Sequence, residues 1–160
     1  MAIEEVNRIK EIFSNLDVSV EYIVHEPVIT SEEASKVHGV ELKQGVKAIV
    51  FTNGGEFVVV NVPADKKVDF KIVASLNGWS NSKTRIATPE EVLKITSCEI
   101  GSVPPFGHKE KIKIFFDLTV FDNKINLFNI GLRTHSVKIK TEDLKKVFTE
   151  LNLVEGNFLK

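Results

Sequence analysis

Two features of this 160-residue chain combine residue types that could do chemistry. The first is Lys47, a cation inside the apolar run "GVKAIVF". The second is the segment "GSVPPFGH", residues 101–108, in which glycines let backbone amides come close to a ligand while Pro104 and Pro105 stiffen the path. Such a loop could present fixed N–H donors to an oxygen atom. By pattern alone two simpler interpretations stay open: an outward-pointing lysine on an alternating strand, and a tight turn.

Other kinds of site have no support in the sequence. The four histidines are His25, His38, His108 and His135. They lie far apart and lack companion cysteines, so we expect no metal and no cofactor. The single cysteine, Cys98, is more typical of a small buried side chain than of a nucleophile. There is no Walker, G-x-G-x-x-G or G-x-S-x-G pattern. We therefore expect neither covalent catalysis nor nucleotide binding of those types.

Composition and charge limit the classes of protein to which the chain can belong. Apolar residues make up 42% and charged residues 27%, which is typical of a globular protein, and the length suits a single domain over residues 1–160. Because 21 basic residues balance 22 acidic ones, the chain has no overall positive charge that would attract a nucleic acid. A nucleic acid would therefore have to bind to a local basic patch. The N-terminus lacks the basic segment followed by an apolar segment that is typical of a signal peptide. No apolar run is long enough to span a bilayer. We expect a cytoplasmic protein that binds neither membranes nor DNA.

The spacing of apolar residues predicts the elements of the first part of the chain. Residues 3–16 have apolar side chains at intervals of three and four, which indicates a helix, and the strand-like "VEYIV" follows. A short second helix is expected in "TSEEASKVHG", where Thr30 and Glu33 form a capping-box pattern and Gly39 suits the C-terminal end.

A β-hairpin is predicted in "VKAIVFTNGGEFVVVNV", because Asn53 and Gly54 supply the positive φ that a tight turn needs. Both arms are almost continuously apolar, as expected for strands covered on two faces. The next segment, "ADKKVDFKIVASLNG", predicts a helix that ends at Gly78 and covers the hairpin.

The second half of the chain predicts two helices and three strands. A short helix in "ATPEEVLKIT" has Thr88 as its cap and Glu91 at the capping-box position. Strands are expected in "KIKIFFDLTVF", "KINLFNI" and "HSVKIK", with a turn at Asp122–Asn123 between the first two. A final helix, "TEDLKKVFTELN", is expected to have Thr141 as its N-cap. This order predicts α and β elements mixed around one sheet or barrel.

Three separated stretches carry a resemblance to a known family. They are Lys47 in "VKAIVF", the passage "TPEEVLKITSCEIGSVPPFG" and the passage "NIGLRTHSVKIKTEDL". In this order and spacing they resemble the YbaK family and the related editing insertion of bacterial prolyl-tRNA synthetases, which are aminoacyl-tRNA deacylases. The resemblance runs from about Val24 to Leu144, which is most of the chain.

The resemblance implies an editing site. In the family a strand lysine and a G-x-x-x-P loop form this site, so it implies catalytic roles for five residues: Lys47, Gly101, Ser102, Val103 and Pro105. It implies substrate binding by six more: Phe106, Gly107, His108, Asn129, Gly131 and Arg133. Where the family ordinarily has a glycine after the arginine, this chain has Thr134. Some alanine-clearing relatives carry a functional histidine where Asn129 falls here, which leaves His108 and His135 as candidates.

The same resemblance implies a fold and a function. The fold is a mixed α/β domain with a barrel-like central β-sheet flanked by helices. The function is trans-editing, in which a deacylase hydrolyses the ester of a mischarged alanine, cysteine or serine at the 3′ acceptor end of tRNA-Pro or tRNA-Cys. A synthetase or an elongation factor would be a further partner. The alternative that the sequence leaves open is a non-catalytic module that uses the same pocket to bind an amino acid, an aminoacyl-adenosine or a partner.

Overall fold

The computed structural model describes residues 2–27, 36 and 39–160, and these form four α-helices and eight β-strands. The helices are α1 (Ala2–Asn15), α2 (Phe70–Asn77), α3 (Pro89–Thr96) and α4 (Thr141–Glu150). The strands are β1 (Val20–Val24), β2 (Val46–Thr52), β3 (Phe57–Pro63), β4 (Arg85–Ile86), β5 (Lys113–Asp117), β6 (Ile125–Asn129), β7 (His135–Lys140) and β8 (Val154–Gly156). Apart from residues 36 and 39, the predicted second helix over residues 30–39, with His38, lies outside the described residues.

The described strands form two sheets. One has the antiparallel order β1-β7-β6, and the other has the mixed order β4-β2-β3-β5-β8, in which β3–β5 and β5–β8 are parallel pairs. A single parallel bridge between Gly45 and Leu127 joins β6 to the start of β2. The predicted mixed α/β architecture is confirmed, and its described strands divide between two adjoining sheets without closing into a barrel.

The predicted hairpin is confirmed as β2 and β3, paired from Val46–Pro63 to Thr52–Phe57. Its loop has four residues, because the Asn53 side-chain oxygen accepts hydrogen bonds from the amides of Gly55 and Glu56 at 3.0 and 2.8 Å. Only Gly54, with φ of +99°, supplies a positive φ in this loop. Both faces of the hairpin are covered, as the apolar runs predicted.

Apolar side chains pack into three main clusters around these sheets. One lies between α1, α4 and the inner face of β1-β7-β6, and it includes Val6, Ile9, Phe13, Phe106, Phe128 and Leu144. A second lies between α2 and one face of the hairpin, and it includes Phe51, Val60, Val73 and Trp79. A third lies between α3 and the other hairpin face, and it includes Val50, Val59, Val92, Cys98 and Val103. The loop over residues 101–107 is thus anchored in two clusters, through Val103 and Phe106.

The ends of two helices test the capping predictions. The capping box of Thr88 and Glu91 is confirmed at the start of α3. The prediction that Thr141 is an N-cap is wrong, because Lys140 occupies that position and Thr141 is the first helical residue. The Thr141 hydroxyl is engaged elsewhere: it donates to the carbonyl of Asn123 and accepts from Nδ2 of Asn126.

The strands of the second half pair differently from their order along the chain. β5 and β6 do not form a hairpin around Asp122–Asn123, because a 3₁₀ turn at Leu118–Asp122 carries the chain from one sheet to the other. The short strands β4 and β8 were not predicted, since two or three residues are too few to show an alternating pattern.

Gly107 provides a test of how tightly the loop is packed. Its φ is +74°, and a Cβ there would lie 2.5 Å from Cδ1 of Ile12 and 2.8 Å from Cδ1 of Ile9. We expect Gly107→Ala to lower the free energy of unfolding in urea by about 3 kcal/mol, which combines left-handed strain with overpacking. The control is Gly78→Ala, where φ is +69° but no atom lies within 4 Å, with an expected loss of about 1 kcal/mol. Equal losses would contradict the packing argument.

Candidate functional site

Lys47 lies on β2 opposite Val62, and its side chain is partly buried. Within the described residues it makes no hydrogen bond and no ion pair shorter than 4 Å. Burial lowers the pKa of its ammonium group, while the charge of Asp65 opposes this change and that of Lys67 adds to it. The strand thus holds a cation that has no close protein counter-charge in the described part of the chain.

One bridge brings the strand that carries Lys47 close to β6. Gly45, just before β2, and Leu127 on β6 are bridged in parallel. Lys47 itself pairs with Val62, which belongs with Phe51 to the cluster that α2 covers. Because side chains alternate along a strand, Lys47 projects from the α2-facing side of the hairpin, and Val103 of the loop packs on the opposite side.

A row of polar residues crosses the outer face of the three-stranded sheet, the face away from α1. Asn129 pairs with Ser136 on β7, and Nε2 of His25 lies 2.9 Å from the Ser136 hydroxyl oxygen. Nδ1 of His25 donates to the carbonyl oxygen of Glu26 at 2.7 Å. His25 and Ser136 therefore lie in one row with Asn129, although sequence analysis considered His25 only as a metal ligand and did not name Ser136. Only the pairing of β1, β7 and β6 brings them together, and no sequence spacing could have indicated this.

Arg133 joins the third motif to the loop of the second. Its Nε and Nη2 atoms donate to the carbonyl oxygen of Ile100 at 3.2 and 2.9 Å, and its Nη1 lies 2.8 Å from a carboxylate oxygen of Glu99. The planar guanidinium can make these bonds together, which a lysine could not. Its described contacts thus position the loop. Direct contact with substrate by Arg133 remains a prediction.

Few backbone amides of the loop are available to a ligand. The amide of Ser102 donates to the carbonyl of Glu99 at 3.0 Å, and its hydroxyl does so at 2.6 Å. Pro104 and Pro105 have no N–H group. In residues 101–105 this leaves the amides of Gly101 and Val103, which donate no hydrogen bond within the described part of the chain. The expected set of fixed N–H donors is therefore narrowed to these two.

Phe106 is fully buried between the rings of Phe13 and Phe128, whose centroids lie 5.9 and 5.8 Å away. With no exposed surface, it supports the loop from below and does not reach a ligand in this structure. Gly107 likewise packs on Ile9 and Ile12 of α1. The described contacts of this pair are packing contacts, and a role of either residue in substrate binding stays a prediction.

His108 holds the loop from its C-terminal side. Its Nε2 donates to the carbonyl of Pro104 at 2.8 Å. Burial lowers the pKa of the ring to about 4; the bond to Pro104 opposes this shift and the charge of Arg8 adds to it. His108 is therefore neutral near pH 7, where it serves as a hydrogen-bond donor.

A cleft of about 820 Å³ opens beside the loop. Residues of the second and third motifs line it, among them Leu93, Ser97, Ser102, Gly131, Arg133 and Thr134. Gly131 has φ of +126°, which favours glycine. Thr134 stands in the wall, with its hydroxyl 2.8 Å from Nδ1 of His135 and its carbonyl accepting from the His25 amide. The structure thus joins the second and third motifs in one cleft, and a role of Lys47 at this cleft stays a prediction.

The described residues offer little for metal binding or for catalysis by a cysteine nucleophile. There, no group of three or more histidine, cysteine, aspartate or glutamate side chains could hold a metal ion. Cys98 is buried, and burial raises the pKa of its thiol to about 11, so the thiol is protonated near pH 7. None of the described helices is long and apolar enough to cross a membrane.

Comparisons with known proteins agree on one group. The family model of the aminoacyl-tRNA editing domain matches residues 25–147. The multifunctional Ser/Thr-tRNA deacylase ProXp-y of Escherichia coli (strain K12) is 32% identical over 130 residues, covering 78% of this chain and 77% of that protein. The proline–tRNA ligase of Bacillus cytotoxicus is 36% identical over 90 residues, which are 56% of this chain and 15% of the ligase. The crystal structure of hypothetical protein APE2540 has the same fold, with a TM-score of 0.84, 21% identity, and coverage of 96% of this chain and 99% of that one.

The neutral state of His108 predicts a pH dependence of stability. The pKa is near 6.5 in the unfolded chain and about 4 in the folded one, so between these values the unfolded chain binds more protons. The contribution is fully present above pH 6.5 and is lost as the pH falls towards 4, by at most about 3 kcal/mol. We expect His108→Gln, which keeps a donor but does not titrate, to flatten this part of the profile in urea denaturation from pH 7.5 to 4.5. Parallel profiles for the two proteins would exclude His108 as the cause.

Proposed function

We propose that this chain, which belongs to the aminoacyl-tRNA editing domain family, is a trans-editing deacylase that hydrolyses the ester of a mischarged small amino acid on tRNA. The family assignment confirms the resemblance indicated by the three motifs. At the level of the family it also confirms the prediction of a hydrolase of aminoacyl-tRNA ester bonds. In the proposal, residues 1–160 act as one editing domain.

One observation carries the proposed chemistry: the amides of Gly101 and Val103 have no acceptor within the described residues and lie in the loop beside the cleft. In ester hydrolysis, the oxygen of water attacks the carbonyl carbon, and the electron pair of the C=O bond moves to its oxygen. Preorganised N–H donors stabilise that negative charge without having to reorient. Collapse of the intermediate breaks the bond to the ribose oxygen, which takes up a proton, and releases the free amino acid and tRNA.

Lys47 is assigned to the nucleic-acid part of the substrate. Its ammonium group has no close counter-charge in the described part of the chain, so a phosphate or ribose oxygen at the 3′ end of tRNA would supply its missing partner. Lys47 need not act as a base. The attacking water is activated in this proposal by the ribose hydroxyl or the amino group of the substrate itself.

The proposed substrates are small amino acids of the alanine, cysteine or serine class, attached to tRNA-Pro or tRNA-Cys. The similarity to a Ser/Thr-tRNA deacylase favours serine among these amino acids and adds threonine as a candidate. The volume of the cleft would exclude larger amino acids. Volume alone distinguishes two amino acids that differ by one methylene group only about 10- to 200-fold, so the polar lining of the cleft would also contribute to the choice of substrate. A synthetase or an elongation factor that delivers the tRNA is a further partner in the proposal.

A non-catalytic binding module is the second candidate, and Thr134 is the observation that favours it. Its side chain stands in the cleft wall at a position where the family ordinarily has glycine. A side chain there could limit how closely the ester approaches the loop. Binding of an alanyl- or seryl-adenosine analogue without turnover of the ester would select this alternative.

The proposed function is tested with radiolabelled Ala-, Cys-, Ser- and Thr-tRNAs of proline, cysteine and cognate types. We expect at least one to be deacylated, with Lys47→Ala slowing the reaction about 10-fold or more through loss of a charged contact. Gly101 has φ of +84°, so Gly101→Ala should displace the loop donors and slow it about 100-fold.

Matched controls are Lys113→Ala, another strand lysine, and Gly78→Ala, another glycine at positive φ. Each should deacylate at the wild-type rate once its fold is verified by circular dichroism. Folded Lys47→Ala and Gly101→Ala proteins that are as active as wild type would overturn the assignment of this site.

The near-zero net charge of −1 predicts that tRNA is bound by a few local contacts. We expect micromolar affinity that weakens with salt, with a slope of log K against log salt of about −0.7 for each single-strand phosphate contact. Lys47→Ala should make the slope less negative by about 0.7, whereas Lys113→Ala should leave it unchanged. A nanomolar complex that is insensitive to salt, measured by fluorescence anisotropy, would contradict this picture.

A further inference from the structure

We infer that Asn61 is a positioning residue that sets the direction of the loop amides by holding the carbonyl of Pro105. Its predicted effect on catalysis rests on the proposed function, but its effect on the loop does not. Asn61 lies in the apolar run "VVVNV" of β3 and is 0% exposed. A buried amide in such a strand is costly unless it is hydrogen-bonded, so its partners indicate why it is there.

The partners of Asn61 are two backbone carbonyls. Its Nδ2 donates to the carbonyl oxygen of Pro105 at 2.8 Å and to that of Phe115, on β5, at 3.2 Å. Because carbonyl oxygens only accept hydrogen bonds, the amide nitrogen must face them, and the orientation of the side chain is determined. One group therefore ties the loop to the centre of the five-stranded sheet.

The loop depends on such outside donors because of its two prolines. Pro104 and Pro105 have no N–H group, so this part of the loop can be anchored only through its carbonyls. His108 donates to the carbonyl of Pro104 at 2.8 Å, and Asn61 donates to the next one. Two side chains, one from the chain after the loop and one from the sheet, thus hold consecutive carbonyls.

The N-terminal side of the loop is held in the same way. Arg133 donates to the carbonyl of Ile100, and Ser102 donates to that of Glu99. Two carbonyls in the loop and two just before it therefore accept hydrogen bonds, whereas the amides of Gly101 and Val103 donate nowhere in the described part of the chain. The carbonyl acceptors are thus held by hydrogen bonds, while the two amide donors stay available to a ligand. An oxyanion needs such donors.

The remaining atom of Asn61 argues against a purely stabilising role. Its Oδ1 is buried and has no hydrogen-bond partner within the described residues. An apolar side chain of similar size would remove this unsatisfied atom, but it would leave the carbonyl of Pro105 without its donor. The shorter of its two bonds goes to the loop carbonyl of Pro105 and the longer to Phe115 on β5, so this costly group joins the loop to the sheet.

The experiment compares Asn61→Leu with Asn126→Leu. Asn126 is the matched control because it is also 0% exposed in a strand, and its Nδ2 donates to the Thr141 hydroxyl at 2.9 Å, while within the described residues it makes no hydrogen bond to the loop. With the best substrate of the tRNA panel, we expect Asn61→Leu to lower kcat by about 10-fold or more with KM within about 2-fold. Asn126→Leu should change both by less than about 2-fold even if it lowers Tm as much.

A second readout does not depend on activity. In ¹H–¹⁵N NMR spectra, the signals of the amides of Gly101 and Val103 should shift in Asn61→Leu and stay at their wild-type positions in Asn126→Leu. If Asn61→Leu does not fold, Asn61→Ser replaces it, because a serine hydroxyl is too short to reach the carbonyl that Nδ2 reaches.

The outcomes separate the two proposals. Unchanged signals of Gly101 and Val103 in the folded Asn61 variant overturn the inference, and so does an unchanged kcat. Equal effects in the two asparagine variants would assign Asn61 a general structural role and also overturn it. If wild type hydrolyses no aminoacyl-tRNA, the proposed function fails, and the amide signals alone decide whether Asn61 positions the loop.

Discussion

The bonds from Arg133 to the carbonyl of Ile100 and the carboxylate of Glu99 are the interaction on which the site depends. They connect the third motif, which follows β6, to the loop that follows α3, and these segments are far apart in the chain. Because Pro104 and Pro105 have no N–H group, this part of the loop cannot be held through its own amides. Its geometry must be imposed by donors from outside, and the guanidinium is the donor at its entrance.

Two kinds of environment meet at this interaction. On one side is the outer face of the three-stranded sheet, which carries Asn129 and Ser136. On the other side is the cleft of about 820 Å³ beside the loop. Among the residues that the structure describes, Lys47 has no close counter-charge and the amides of Gly101 and Val103 have no acceptor, which suits the two ends of an aminoacyl ester, its nucleic-acid part and its carbonyl oxygen. The low net charge leaves recognition to these local groups.

Local structure was predictable wherever neighbouring residues decide it. The box of Thr88 and Glu91, the left-handed end of α2 at Gly78 and the apolar arms of the hairpin all depend on side chains within a few positions. Thr141 shows the limit of this logic. It has the residue type of a cap, yet its hydroxyl bonds with Asn123 and Asn126, because contact with β6 competes with the helix end for the same group.

By itself the sequence determined the mixed α/β class, the hairpin, most helix positions and, through three motifs in order, the family. The tertiary structure decided how those motifs meet. One parallel bridge between Gly45 and Leu127 joins the two sheets, and His25 reaches Ser136 only across paired strands. In the sequence Asn61 is one polar residue in an apolar strand, and only the tertiary structure shows that its side chain donates to the carbonyl of Pro105. Such contacts depend on strand register and chain crossing, which are set by packing of the whole core and leave no mark in local spacing.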